Sequence, residues 1–359
     1  MAISEISKKY GPLIPGLPDE ITEQCLLLLT FPELTVARSV STAWNGAISS
    51  PSFVQARKNL KLSQPYIFCF SYQRPKTGIQ WQAFDPRSRR WLLLPPMPCE
   101  MPVTAPAFAC ASIPLEGELY ALGGKRSDTD AEFRRMVTYR TATNSWTVGP
   151  PMRHKRAHFA AASIDGKVFA AGGKGAVAGE SLPSAECYDP ERGRWGPVAN
   201  LRRGLMRYDS AVMGRKLYVT EGWSWPFTFS PRGEVYDVDK DTWQEMSAGM
   251  KEGWTGTGAV VGDKLFVVPE HGDCRVKVYS PEDDRWRQVI GEGVPRQLLK
   301  PYVACGLEGC LYVMARGLDV GVGRLEMGPG GEWTVDWEIV AGPPGSVDYG
   351  PSNCQVLYA

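Results

Sequence analysis

HFAAASIDGKVFAAGG (residues 158–173) and AECYDPERGRWGPV (residues 185–198) carry the reading of the fold. HFAAASI is a short apolar strand, Asp165-Gly166 a tight hairpin turn, and KVFAAGG the returning strand. AECYD makes a third strand, and Asp189-Pro190 turns the chain into a fourth at Trp195. The same grammar recurs along the chain. LYALGG starts at Leu119, VFAAGG at Val168, LYVTEG at Leu217, LFVVPE at Leu265 and LYVMAR at Leu311, with successive starts 49, 49, 48 and 46 residues apart. Tyr139, Tyr188, Tyr236 and Tyr279 follow these starts, and each has a Trp seven residues later, at Trp146, Trp195, Trp243 and Trp286. Phe84 and Trp91 form an earlier pair, and an eroded last unit runs from Tyr302 through Leu325 to Trp333 or Trp337. A period in this range marks a stacked repeat whose units are single supersecondary modules.

Working outward, the composition fits. The 359 residues include 38 Gly and 29 Pro, which punctuate turns, and 12 Trp and 14 Tyr, which favour pleated surfaces. Forty Lys and Arg balance 39 Asp and Glu, unlike the basic footprint of a nucleic-acid binder. No apolar run approaches the roughly 18 residues of a membrane span. The opening MAISEISKKY lacks a secretory apolar core, so an intracellular protein, cytoplasmic or nuclear, is expected. Nine cysteines without a CxxC pair fit unpaired thiols in a reducing compartment.

The paired Gly, Tyr and Trp at a period near 48 resemble the kelch repeat. That resemblance implies a mainly β fold, a six-bladed β-propeller over residues 66–359, one blade per aromatic–Trp unit. The first unit lacks a strand before Tyr66, and Ser352–Ala359 is a strand without a blade, so the chain's end is expected to complete blade one and close the ring. On this reading the repeated aromatics are core, packing blade against blade.

Residues 12–60 follow another pattern, after a short N-terminal stretch 1–11 and before a brief connector, 61–65. Pro18-Asp19 is a plausible helix start for an apolar run through Ile21, Cys25, Leu26, Leu28 and Leu29. Leu34, Val36, Val40, Trp44 and Ile48 fit one face across two helices, and Ser50-Pro51 opens a further helix to Asn59. Some 45 residues make a thin core that needs a neighbour. The frame Leu17-Pro18-Asp19-Glu20, Val40-Ser41, Trp44 and Ser50-Pro51-Ser52-Phe53 resembles an F-box. The family implies docking on a Skp-type adaptor, and through it on a cullin-based ubiquitin ligase. Carried over, the contact positions are Leu13, Ile14, Pro15, Leu17, Pro18, Leu29, Val36, Val40 and Trp44, some of which must instead form the motif's own core. The two units together resemble plant F-box/kelch proteins. For that family the implied role is a substrate receptor whose propeller holds a target protein, such as a biosynthetic enzyme or a hormone-response regulator, for ubiquitination and degradation. A kelch interaction scaffold that never directs ubiquitination is the alternative.

Alternating strand direction puts the B–C and D–A loops on one face of a propeller and the shorter A–B and C–D turns on the other. The long, varied loops are the expected recognition face. They hold more Lys and Arg than Asp and Glu, although the whole chain is balanced. Arg126, Arg153, Arg156, Arg203, Arg207, Arg275 and Arg316 are the candidate contacts with an acidic patch on the target. Trp223, Trp225 and Phe227, with Trp254, are candidate aromatic anchors. No cofactor, metal or catalytic group is expected. His154, His158 and His271 are scattered, and Gly123-Gly124 and Gly172-Gly173 lack a phosphate-loop context. A kelch-type oxidase would need a copper site that these three His do not supply.

Overall fold

In the computed structural model the described residues are 11–73, 78–98, 107–126, 128–175, 181–207, 209–222 and 230–359. They form six four-stranded antiparallel sheets preceded by four helices. Blade two is β4 (Ala109–Ile113), β5 (Glu118–Leu122), β6 (Met136–Arg140) and β7 (Ser145–Val148). Blade three is β8 (Ala160–Ile164), β9 (Lys167–Ala171), β10 (Ala185–Asp189) and β11 (Arg194–Val198). Blade four runs β12 (Asp209–Met213), β13 (Lys216–Thr220), β14 (Gly233–Asp237) and β15 (Thr242–Glu245). Blade five runs β16 (Gly256–Val261), β17 (Lys264–Pro269), β18 (Lys277–Ser280) and β19 (Arg285–Gln288). Blade six is β20 (Val303–Leu307), β21 (Cys310–Met314), β22 (Val320–Met327) and β23 (Trp333–Val340).

Blade one joins two distant parts of the chain. β1 (Pro65–Gln73), β2 (Ile79–Asp85) and β3 (Arg90–Leu93) follow one another, but the innermost strand is β24 (Tyr349–Tyr358). β24 pairs with β1 from Pro65↔Tyr358 to Gln73↔Tyr349 and lies beside β4 and β20, completing the circle of inner strands.

The recurrent aromatics do two jobs. Each Tyr or Phe sits directly across the sheet from its Trp, as in Tyr139↔Trp146 and Tyr236↔Trp243, with ring centroids 5.2 and 5.0 Å apart. In blades two to six the repeat Trp indole then donates to a carbonyl in the connection that enters its blade, whereas the buried indole N–H of Trp91 in blade one has no partner among the described residues. Trp146 reaches Pro95 at 2.9 Å, Trp195 Pro150 at 3.1 Å and Trp243 Ala199 at 2.8 Å. In blade six Trp337 makes this bond, to Glu292 at 3.1 Å, so Trp337 rather than Trp333 is the repeat position. The glycine pairs are steric. Gly173 has φ +93°, and a Cβ there would lie 2.6 Å from Cβ of Phe159 and 2.7 Å from the Ala157 carbonyl.

The N-terminal helices are α1 (Asp19–Leu27), α2 (Phe31–Ala37), α3 (Thr42–Ile48) and α4 (Pro51–Asn59). The N-cap of α1 is Pro18, which has no side-chain acceptor, whereas α2 opens on a capping box of Thr30 and Glu33. Leu26, Leu27, Leu34, Ala37, Ile48 and Phe53 make a small core. This core leans on the propeller, as its thinness requires. Phe31 is buried against Tyr66 and Phe68, with centroids 5.3 and 6.1 Å away. Arg38 donates to the Ala142 carbonyl, Lys58 pairs with Glu116, and Gln64 and Ala359 exchange two backbone bonds of 2.9 Å. Burial pulls Arg38 down to about 10, which leaves it a cation at neutral pH.

Leu357 is fully buried in β24, at the interface of blades one and two. Leu357→Ala is expected to cost about 2–5 kcal/mol, read as a lowered midpoint in denaturant unfolding. Val347→Ala, at a residue 75% exposed, is expected to leave that midpoint unchanged.

Candidate functional site

Two surfaces stand out, and they lie at opposite ends of the propeller. The helices pack on the end formed by A–B and C–D turns, through Glu116 and Ala142. The B–C and D–A loops open at the other end.

On the helical unit, apolar side chains divide sharply between core and solvent. Leu28, Val36 and Val40 are 60–72% exposed, and Leu17, Ile21, Pro15 and Pro18 are also exposed. Ile14, Leu29 and Trp44 are half-buried. Leu13 is a correction: its side chain is buried in the helical core, and its carbonyl accepts the Trp44 indole N–H at 2.9 Å, so it faces inward. The single face expected for Leu34, Val36, Val40, Trp44 and Ile48 is also corrected. Leu34 and Ile48 point into the core and Val36 and Val40 point out, because α2 and α3 meet through their other sides. Sequence reasoning missed Ile21 and Leu28 as members of the outward set. Burying a Leu or Val on a partner is worth about 1.5–3 kcal/mol, so these solvated apolar side chains are stabilised when a partner covers them.

At the loop end, buried carboxylates organise the chain. Glu186 on β10 is nearly inaccessible and accepts the N–H groups of Arg153 (2.6 Å) and His154 (3.3 Å). Glu234 on β14 does the same for Arg202 (3.0 Å) and Arg203 (3.2 Å). Each fixes the backbone of the connection entering its own blade and leaves the basic side chains outside; Arg153 and Arg203 are exposed without an ion pair among the described residues. The signal was in the sequence, since AECYD and GEVYD place Glu two residues before Tyr in both units.

Two expected contact residues are structural instead. Arg156 is fully buried. Its guanidinium donates to Glu186 (3.0 Å), to the Gly172 and Ser184 carbonyls (2.8 and 2.7 Å) and to the Ser184 hydroxyl (2.9 Å). Four of its five N–H donors are engaged inside blade three and the side chain is out of reach of solvent, so it offers nothing to a partner. Trp254 is also fully buried, donates to Asp209 at 3.0 Å and packs edge-on against Trp286. It follows α5 (Ala248–Gly253), a turn of helix in the connection to blade five.

The remaining arginines are spread around the loop end. Arg126 is exposed and bridges both oxygens of Asp128 at 2.8 and 2.6 Å, and Arg275 pairs with Asp273 at 3.0 Å. Arg316 is exposed. Arg207 lines the mouth of the central channel, 3.7 Å from Asp209. Burial raises the Asp209 carboxyl against the opposing pull of Arg207 and the bonds from Gly258 and Trp254. Beyond this mouth, a channel cavity of about 270 Å³ is lined mainly by small and polar side chains of the inner strands, such as Ser112, Ser163 and Gln355. Trp223, Trp225 and Phe227 lie outside the described residues. Among the described residues no three His, Cys, Asp or Glu side chains group as a metal site, and no helix is long and apolar enough to cross a membrane.

Glu186→Ala would leave the Arg156 guanidinium buried without its counter-charge. The expected cost is about 3–5 kcal/mol, measured by denaturant unfolding. Arg153→Ala, an exposed change in the same connection, is expected to leave stability within about 0.5 kcal/mol.

Comparison with known proteins follows this division. Residues 14–55 match the F-box domain model, and residues 155–202 match the Kelch motif model. The chain is 43% identical over 360 residues to F-box protein AFR of Arabidopsis thaliana, covering 99% of this chain and 95% of that protein. It is 38% identical to an F-box/kelch-repeat protein of the same plant, covering 99% of this chain and 89% of that one. With six propeller blades, indole staples between successive units and a helical motif carrying an outward apolar patch, the chain belongs to the F-box/kelch-repeat family of plants.

Proposed function

We propose that this protein is the substrate-recognition subunit of a Skp–cullin–F-box ubiquitin ligase. The helical unit binds a Skp-type adaptor, and the loop end of the propeller binds a target protein for ubiquitination and proteasomal degradation. The protein itself acts as a receptor and performs no catalysis; ubiquitin transfer belongs to other subunits. The observation that carries the reading is the uncovered apolar patch of Leu17, Ile21, Leu28, Val36 and Val40 within the F-box residues. Solvated apolar side chains grouped on so small a unit mark a partner surface. Pro15 and Pro18 extend that surface, with Ile14, Leu29 and Trp44 as half-buried support. Arg153, Arg203 and Arg316 supply exposed cations at the loop end, with Arg126 and Arg275 beside them in local pairs.

Adaptor and target engage opposite ends of one body. Phe31, Arg38 and Lys58 fasten the helices to blades one and two, so the target is held at a set distance and angle from the ligase. Such aim matters to a reaction whose acceptor lysine must reach a fixed donor.

Val36→Asp/Val40→Asp changes two exposed side chains, so the melting temperature is expected to stay within a few degrees. Co-purification of adaptor and cullin is expected to be lost, while the bound target remains and accumulates in cells. Retained adaptor binding counts against the receptor reading. Lost adaptor binding, with a target that neither accumulates nor carries ubiquitin in the wild type, favours the non-degradative scaffold.

A further inference from the structure

The unpaired positive charge of the loop end is concentrated away from the propeller axis. At the channel mouth Arg207 faces Asp209 at 3.7 Å, and Glu270 lines the same opening, so cation and anion offset one another there. Over blade two the balance differs. A groove of about 640 Å³ opens over the loop end of blade two, beside Met97 and Pro98 of the connection from blade one. Phe108, Val137 and Val148 form its apolar side, and Val148 is 65% exposed. Arg134, Arg135 and Lys155 line its polar side and have no ion pair among the described residues. Arg126 also lines it but is engaged by Asp128. The acidic side chain in the lining, Glu132, is buried and lies 3.8 Å from Lys174.

From this we infer that the groove over blade two binds an acidic segment of the target that inserts an apolar side chain. The inference rests on the receptor reading and gives that reading a substrate class. Three cations without an ion pair among the described residues attract carboxylates and steer their approach. The volume suits one or two large side chains, and sites of this size are typically apolar with a few polar groups fixing orientation. Arginine adds directional selectivity, because its planar fork fits a carboxylate through two parallel bonds. The groove therefore asks for both features at once, charge alone or an apolar residue alone leaving half of it unanswered.

The test uses the purified full chain and three fluorescein-labelled polymers: a random glutamate–tyrosine copolymer, polyglutamate and a lysine–tyrosine copolymer. Fluorescence anisotropy is expected to show the glutamate–tyrosine copolymer binding more tightly than polyglutamate, and the lysine–tyrosine copolymer not binding. Arg134→Glu/Arg135→Glu/Lys155→Glu is expected to weaken the copolymer by about tenfold or more, with the melting temperature retained. Val148→Asp is expected to remove the preference over polyglutamate. Arg192→Glu/Arg194→Glu, at a turn on the opposite end, is expected to change nothing. Equal binding by the triple reversal variant, or no binding by the wild type, overturns the inference. It is also overturned if binding occurs only after residues 99–106, which join Pro98 to Ala107, are replaced by Gly and Ser, since the groove's occupant is then the chain itself. Adaptor capture, measured on the same preparations, reports separately on the receptor reading.

Discussion

The pairing of β24 with β1 is the constraint on which the rest of the molecule depends. A propeller blade is covered on both faces only if every blade has two neighbours, and a ring with one strand missing exposes both a sheet edge and two blade faces. Nine residue pairs from Pro65↔Tyr358 to Gln73↔Tyr349 prevent this. Leu357 and Cys354 from β24 enter the cores on either side of blade one, beside Phe68 and Tyr139 on one flank and Leu318 and Tyr312 on the other. The same pairing brings Ala359 to Gln64 and so fixes the point at which the chain passes from the helical unit into the propeller.

Within the ring, order is kept by repeated polar contacts rather than by apolar area alone. In blades two to six the indole N–H of the strand-D Trp holds the incoming connection, and in blades three and four a buried Glu holds the same connection from strand C. Buried donors and acceptors must find partners, so each contact selects one backbone path among the many that would bury similar apolar surface. The loops gain their freedom to vary in sequence from this: their ends are anchored by groups that belong to the blades.

Much of this was legible because periodicity reports on backbone. The blade count and the Tyr–Trp pairing follow from spacing that recurs in five or six copies, and the helical unit from one apolar pattern with helical spacing. Side-chain destination is harder, because it depends on which neighbour arrives from a distant part of the chain. Arg156 and Arg153 sit three residues apart in one basic run, yet Arg153 meets Glu186 through its backbone N–H and keeps its side chain outside, whereas the Arg156 guanidinium meets the Glu186 carboxylate and two carbonyls of its blade. Trp254 resembles an extra aromatic anchor until Asp209, 45 residues earlier, is seen to accept its N–H. Val36 and Leu34 differ by two positions and fall on opposite sides of α2. Of Trp333 and Trp337, the latter takes the repeat position because its indole is the one that meets the connection entering blade six, at Glu292. The groove over blade two escaped notice for the same reason, since Val148, Arg134 and Lys155 come together only through the fold.

The joining of β24 to β1 also orders events during synthesis. The helical unit and three strands of blade one are made before the other five blades, but blade one lacks its inner strand until residues 349–358 have left the ribosome. A nascent chain can thus display the F-box while its propeller is still an open arc with uncovered edges. On the receptor reading, assembly with a ligase at that stage would commit an unfinished propeller, so the order of adaptor engagement and ring closure bears on the quality of the complex.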